Sequence, residues 1–553
     1  MIWRLRFMSF EIRDRDLLAR IGRLETKGGI IETPLLLPVI NPMVQLVTPR
    51  TMQETFDCKA LITNAYIVKK HFEDEVARKG IHDFLDFKGV IMTDSGAYQI
   101  LVYGNVEVAS EQIVRYQEEI NTDIATILDV PTGWVASKQH AQYTVDETLR
   151  RAKELAKIKT REDIIWVGPV QGGRHLDLVA QSAKEMGKLP FQIHALGSPT
   201  PVMEQYLFDI LVDMIITAKK NLPPERPLHL FGAGHPFMFA LAVALGCDLF
   251  DSAAYAIYAR EGRYLTEYGT TRLSELEYFP CSCPVCARND PQDMRALPKT
   301  ERQKMLAQHN LHVSFSELKR IKQAIIKGRL WEHLELRAHG HPAILQALKK
   351  LKKHSKYLET QSPVTKSSGI FFFSSIGLSR PEVVRHRERL FERYSPPKET
   401  KVLLLLPQTQ MKPFHKSKEH KRAIKTVQQK LRDKLSEVHI CTYAAPFGVT
   451  PQELDEVYPL SQYEIATPFD AETIEYTAKQ VSDYIINTNY RGVVLLEDFE
   501  TWKGKVAEAC KKACEKKKAY FKALSVEDIW SKNALDNLAM MIHELLLRIE
   551  TGR

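Results

Sequence analysis

The chain has 553 residues, more than one hydrophobic core can serve, so two or more domains are expected, the first of them large. Its composition, 44% hydrophobic and 26% charged, is that of ordinary globular domains and excludes a fibrous or low-complexity chain, while a formal net charge of +9 permits an anionic partner without requiring one. Eight cysteines are too few for a disulfide scaffold, no apolar run approaches the ~18 residues of a membrane span, and the N-terminus leads into charge, so a reducing, cytoplasmic setting away from membrane is expected.

Residues 1–33 alternate apolar and charged positions, as in Phe10-Glu11-Ile12-Arg13, which predicts a hairpin laid over one end of a larger body. Eight apolar, often β-branched segments follow, at 35–40, 60–65, 89–93, 125–130, 164–170, 191–196, 228–231 and 248–251, with amphipathic stretches such as 111–120 and 145–158 between them. Continuous apolar strands alternating with helices mean a parallel sheet covered on both faces. Eight of them predict a (β/α)8 barrel of the TIM type within an α/β chain, with an open doubly wound sheet as the rival.

Barrel chemistry sits at the C-terminal strand ends. Those ends carry Asn64, Asp94-Ser95, Asp129, Gln171-Gly172-Gly173, Gly197-Ser198-Pro199, Gly232-Ala233-Gly234-His235 and Asp251-Ser252. A single aspartate there is most often a helix cap or a turn former. Three in one barrel mouth, with glycine loops that leave room for a ligand, point to a site. Residues 278–312 hold the sharpest motif. Cys281, Cys283 and Cys286 form C-x-C-x2-C, and His309 follows in a helical run, with His312 as the alternative fourth ligand that spacing does not exclude. Four nitrogen and sulfur ligands with no open position predict structural zinc.

A lysine run at 349–353 and a Ser/Thr-rich stretch mark a boundary, with residues 346–368 read as linker. Short strands at 370–374, 402–406, 438–443 and 492–496 then alternate with helices at 381–394, 418–437, 471–486 and 499–518, predicting a smaller α/β accessory domain over 369–525. Lysine-rich runs around 416–425 and 511–518 are solvated helix faces or RNA contacts, and Cys510 and Cys514 are expected to be buried thiols. A last amphipathic helix is predicted within 526–553.

T-D-S-G-A-Y-Q at 93–99, V-Q-G-G at 170–173, A-L-G-S at 195–198, L-F-D-S-A-A-Y-A at 249–256 and the C-x-C-x2-C…H site resemble the tRNA-guanine transglycosylases, in the family's order and over residues 1 to about 345. Within them the chain is similar to the archaeal form that replaces guanine at position 15 of the tRNA D-arm with 7-cyano-7-deazaguanine, on the way to archaeosine. The resemblance implies Asp251 as nucleophile and Asp94 as general acid/base. It also implies that Ser95, Asp129, Gln171 and Gly197 bind the base, with Tyr98 stacking on it where archaeal members usually carry Phe. The chemistry agrees. Exchange with retained configuration needs one carboxylate on C1′ and a second acid for the departing base. An ionised Asp129 can accept from the N1–H and 2-amino group of a guanine-like ring.

Two other functions are open. A paralogous archaeosine synthase has similar domains but lacks the nucleophile and carries Pro-Cys-x3-Lys-Pro-Tyr-x2-Ser-x2-His. Here the matching stretch, 407–420, has Gln408 for Cys and Phe414 for Tyr. A non-catalytic tRNA-binding subunit would have no need of Asp251. The implied partners are tRNA, guanine and 7-cyano-7-deazaguanine, and the resemblance allows a homodimer through the zinc region. Archaeal members often continue into a β-rich RNA-binding module of the PUA type. No such run of strands stands out here, so the expectation is a module that is absent or is a separate polypeptide docking on the final helix.

Overall fold

The structure, a computed structural model, describes residues 10–97 and 109–551. It divides into two compact units, Met1–Leu351 and Lys352–Arg553.

The first unit opens with β1 (Phe10–Asp16), β2 (Ala19–Thr26) and β3 (Gly29–Thr33), an antiparallel sheet in the order β1-β2-β3. Three strands stand where a hairpin was expected. The second turn exists because Gly29 adopts φ +134° and the Thr26 hydroxyl donates back to Gly29 O at 2.8 Å. Eight parallel strands follow: β4 (Leu35–Ile40), β5 (Ala60–Asn64), β6 (Val90–Asp94), β7 (Ile124–Thr126), β8 (Ile165–Val170), β9 (Ile193–Leu196), β10 (Leu228–Leu230) and β11 (Leu249–Ser252). They close in chain order into a barrel, β11 pairing back onto β4 with Asp251 level with Leu37.

The strands are apolar throughout because both their faces are covered. Ile62, Met92, Ile124, Val167, Ile193 and Leu249 fill the interior, while Leu61 and Ile91 face the surrounding helices. Leu24 and Ile31 of the first sheet join the interior cluster, and Gly28 lies against Asp123 just ahead of β7, so the sheet closes the N-terminal end. There Arg20 grips the Asp248 carboxylate through Nε and Nη2, each at 2.8 Å, and Asp248 also accepts the Leu228 N–H at 2.8 Å. The floor is thereby tied to the strands that carry residues at the opposite rim.

The fourth barrel strand is shorter than its apolar run, which extends to Val130. Beyond Thr126, side chains take over the backbone: Ser95 donates to Ile127 O at 3.0 Å, Arg151 to Leu128 O at 3.0 Å, and Thr148 accepts the Val130 N–H at 3.0 Å. Asp129 therefore sits in a loop held by hydrogen bonds instead of a ladder. After β11 come the helix Ala254–Arg260, the hairpin β12 (Arg263–Leu265) and β13 (Thr270–Arg272), a cysteine-bearing turn and the long helix Lys299–Ile326. The stretch 346–368 is helical over much of its length, in the end of Pro342–Lys350 and in Ser355–Gln361, which bury Ala347, Leu348 and Leu358.

The second unit holds the parallel pair β14 (Ile370–Phe372) and β18 (Tyr463–Ile465), and a five-stranded sheet. The sheet comprises β15 (Val402–Pro407), β16 (Val438–Ala444), β17 (Gly448–Pro451), β19 (Gly492–Glu497) and β20 (Tyr520–Ser525), in the order β17-β16-β15-β19-β20 with only β17 antiparallel. Leu403 and Leu405 face one helix layer with Val481, Tyr484, Cys510 and Cys514, and Val402, Leu404 and Leu406 face the other. The helical run at 499–518 is broken at Lys503-Gly504, where both residues take positive φ. The last helix, Lys532–Thr551, is not free to receive a partner on its apolar stripe. Leu535, Leu538, Ile542, Leu545 and Leu546 are buried against β15, β19 and the helix Lys418–Leu431 of the same unit. Among the described residues no helix is long and apolar enough to cross a membrane.

Candidate active site and metal centre

A cavity of about 840 Å³ opens at the C-terminal rim of the barrel, lined among others by Asn64, Asp94, Asp129, Gly197 and Asp251. The three aspartates come from β6, the loop after β7, and β11, more than 150 residues apart at the extremes; barrel closure brings them to one opening. Tyr98 lies outside the described residues.

Asp94 ends β6 level with Asn64 of β5, whose amide donates to Asp94 Oδ2 at 3.0 Å, and the Gly96 N–H reaches the same oxygen at 3.3 Å. Burial pushes the Asp94 carboxyl up to about 7, and the charges of Asp129 and Asp251 add to the rise against the opposing backbone N–H groups. Burial also pushes Asp129 up, to about 6, opposed by the Gln171 amide and by Arg151. Both carboxyls are thus raised toward neutral pH, Asp94 more than Asp129 because two neighbouring carboxylates add to its burial. Acid and base roles are divided in this way wherever environments separate two carboxyl groups.

Gln171 and Ser95 stand behind the cavity wall. Gln171 is fully buried and donates to Asp129 Oδ2 at 2.5 Å, while its own oxygen accepts the Thr132 N–H at 3.0 Å and the Ser198 hydroxyl at 3.1 Å. Its carboxamide therefore fixes the orientation of Asp129. Ser95 uses its hydroxyl on Ile127 O, tying the Asp94 loop to the neighbouring strand. Gly197 forms part of the wall because nothing larger fits: a Cβ there would lie 2.2 Å from Gln171 Nε2. Gly234 is likewise required, since its Cβ would meet Ser252 Oγ at 1.7 Å.

Asp251 receives two hydrogen bonds on one oxygen, Oδ1, from His229 Nε2 and the Gly232 N–H, both at 2.9 Å. His229 was not read from the sequence as a site residue. The available signal was a titratable residue inside the apolar strand Leu228-His229-Leu230, next to the strand that ends in Asp251.

Cys281, Cys283, Cys286 and His309 bring their ligand atoms within 4.8 Å of one another, a cluster that could hold a metal ion. Cys283 Sγ and Cys286 Sγ are 3.6 Å apart and lie 3.4 and 3.3 Å from His309 Nδ1. A tetrahedral ion with ~2.3 Å metal–sulfur bonds needs sulfur atoms ~3.8 Å apart, so the cluster has the right dimensions. His309 Nε2 is 2.8 Å from Leu265 O, and Tyr264 stacks on the ring with centroids 3.6 Å apart, which fixes Nδ1 as the ligand atom. His312 belongs elsewhere, its ring packing on Phe56 at 4.5 Å.

A family model described as queuine tRNA-ribosyltransferase matches residues 15–343, and one described as a domain of unknown function matches residues 383–542. The chain is similar to the tRNA-guanine(15) transglycosylase of Methanocaldococcus jannaschii, 44% identical over 86% of this chain and 72% of that protein. It is 48% identical to the tRNA-guanine(15) transglycosylase of Thermococcus kodakarensis over 69% of this chain and 65% of that one. The protein of the same description from Sulfolobus acidocaldarius is 39% identical, over 88% of this chain and 95% of its own.

Proposed function

The chain belongs to the queuine tRNA-ribosyltransferase family, and from that premise we propose that the barrel mouth exchanges guanine at position 15 of tRNA for 7-cyano-7-deazaguanine, in archaeosine biosynthesis. The observation that carries the reading is the convergence of Asp94, Asp129 and Asp251 on one cavity, where burial raises both Asp94 and Asp129.

Asp251 attacks C1′ of the target ribose as the glycosidic bond to guanine breaks, and Asp94 gives its proton to the departing base. The incoming deazaguanine loses a proton to Asp94 and attacks C1′ in turn, releasing Asp251. Two inversions retain the configuration. Asp129, held by Gln171, accepts from the N1–H and 2-amino group of either base, a donor pair that most other bases lack. Ser95 secures the Asp94 loop, Gly197 leaves the base room, and Tyr98 supplies a stacking face. To reach these groups the nucleotide has to leave its stack in the D-arm.

Cys281, Cys283, Cys286 and His309 would hold zinc as a structural ion, pinning the turn to the long helix with no position open for substrate. In the same reading the enzyme is cytoplasmic and pairs with a second copy through the zinc region; mass measurement in solution decides the pairing. The function is tested with radiolabelled guanine and unmodified tRNA. Incorporation that disappears in Asp251→Asn supports exchange. Tight tRNA binding without exchange by the wild type would make the chain a non-catalytic subunit, and a requirement for tRNA already carrying the cyano base would make it a synthase.

A further inference from the structure

We propose that His229 is a positioning residue for the exchange reaction, a ring N–H donor that selects which oxygen of Asp251 meets the sugar. The inference rests on the reading of Asp251 as nucleophile. β10 pairs with β11 so that His229 is level with Leu249, two places below Asp251, and its ring reaches along the strand to put Nε2 2.9 Å from Oδ1. The side chain is wholly buried, and it packs edge-on to Phe231 with centroids 4.7 Å apart, which limits its tilt.

The other ring nitrogen decides the tautomer. His229 Nδ1 is buried without a hydrogen-bond partner among the described residues. A hydrogen placed there would be a donor with no acceptor, so the ring hydrogen belongs on Nε2 and His229 is the donor to Asp251. The Gly232 N–H donates to the same oxygen. With Oδ1 doubly engaged, Oδ2 is the oxygen that forms the bond to C1′ as the C1′–N bond breaks and its electron pair leaves with the base. In the resulting ester Oδ1 is the carbonyl oxygen and keeps both donors. These draw electron density from the ester and make Asp251 a better leaving group when the incoming base attacks. The same two hydrogen bonds thus serve both halves of the exchange.

The test compares His229→Phe, which keeps the ring and removes the donor, with His229→Gln, whose amide nitrogen reaches about as far as Nε2, and His229→Asn, whose amide is too short. All three are assayed for guanine exchange as full-length protein, with thermal unfolding recorded. The expected result is a kcat lower by about a hundredfold in His229→Phe and His229→Asn, with KM for guanine and tRNA within about twofold, and recovery of at least about tenfold in His229→Gln. Absence of exchange in the wild type would defeat the functional reading itself. A wild type that exchanges beside a His229→Asn variant retaining most of kcat would overturn the positioning role. So would a loss that tracks unfolding and is not recovered by Gln.

Discussion

Asp94 offers a quantitative check on the division of labour in the barrel mouth, because its environment should cost the folded protein stability. A carboxyl with an ordinary value of 3.8 and a folded value of about 7 is harder to ionise in the native state than in the unfolded chain. The sign follows from linkage. Below about pH 3.8 both states are protonated and nothing is lost. As pH rises toward 7 the unfolded state releases its proton first, and above 7 the full penalty remains. At 1.36 kcal/mol per tenfold change it is on the order of 4 kcal/mol at pH 8.5 and about 1 kcal/mol at pH 4.5. Asp94→Asn mimics the protonated acid and can still accept from Asn64 and Gly96, so it should abolish exchange while stabilising the first unit. For a unit of about 350 residues, 4 kcal/mol raises Tm by about 5 °C. Calorimetry of wild type and variant at the two pH values reads this directly. No gain at pH 8.5, or an equal gain at pH 4.5, would refute the account of Asp94 as an acid held protonated by burial.

The same shifts predict the pH profile of kcat/KM for guanine exchange: it falls below about pH 6 as Asp129 takes up a proton and loses its acceptor role, and above about pH 7 as Asp94 loses the proton it must give. Gly197→Ala should push the Gln171 amide off Asp129, since the added Cβ would lie 2.2 Å from Nε2. Losing a hydrogen bond to a charged group costs about 1.5–3 kcal/mol, so KM for guanine should rise roughly tenfold or more, read by steady-state exchange. Removing the metal with a chelator, or substituting Cys286→Ser, should lower the Tm of the first unit and leave one fewer equivalent of zinc by elemental analysis, because Cys286 and Leu306 share the cluster that the ion would pin.

Local pattern made much of this molecule legible. The eight barrel strands could be read from apolar runs of the right length between helical stretches, because burial of both sheet faces writes itself into every residue of a strand. The cysteine spacing could be read because three metal ligands lie on one turn. Strand ends were less legible. The run through Val130 continues the apolar pattern, yet β7 stops at Thr126 because Ser95, Arg151 and Thr148, remote in sequence, claim the backbone beyond it.

What the sequence determined by itself was therefore whatever depends on neighbours along the chain: the barrel's alternation, the three aspartates at strand ends, the cysteine triplet and the resemblance their order carries. Tertiary structure decided which groups face one another. His309 and His312 lie three apart on one helix and share nearly the same side of it, and only the placement of Phe56 under one and the thiolates under the other tells them apart. The final helix has the same amphipathic period whether it covers a partner or its own sheet, and the sheet claimed it. His229 looks like any residue of a buried strand until β10 is laid beside β11, because a hydrogen bond across a barrel seam leaves no mark on the spacing of residues within either strand.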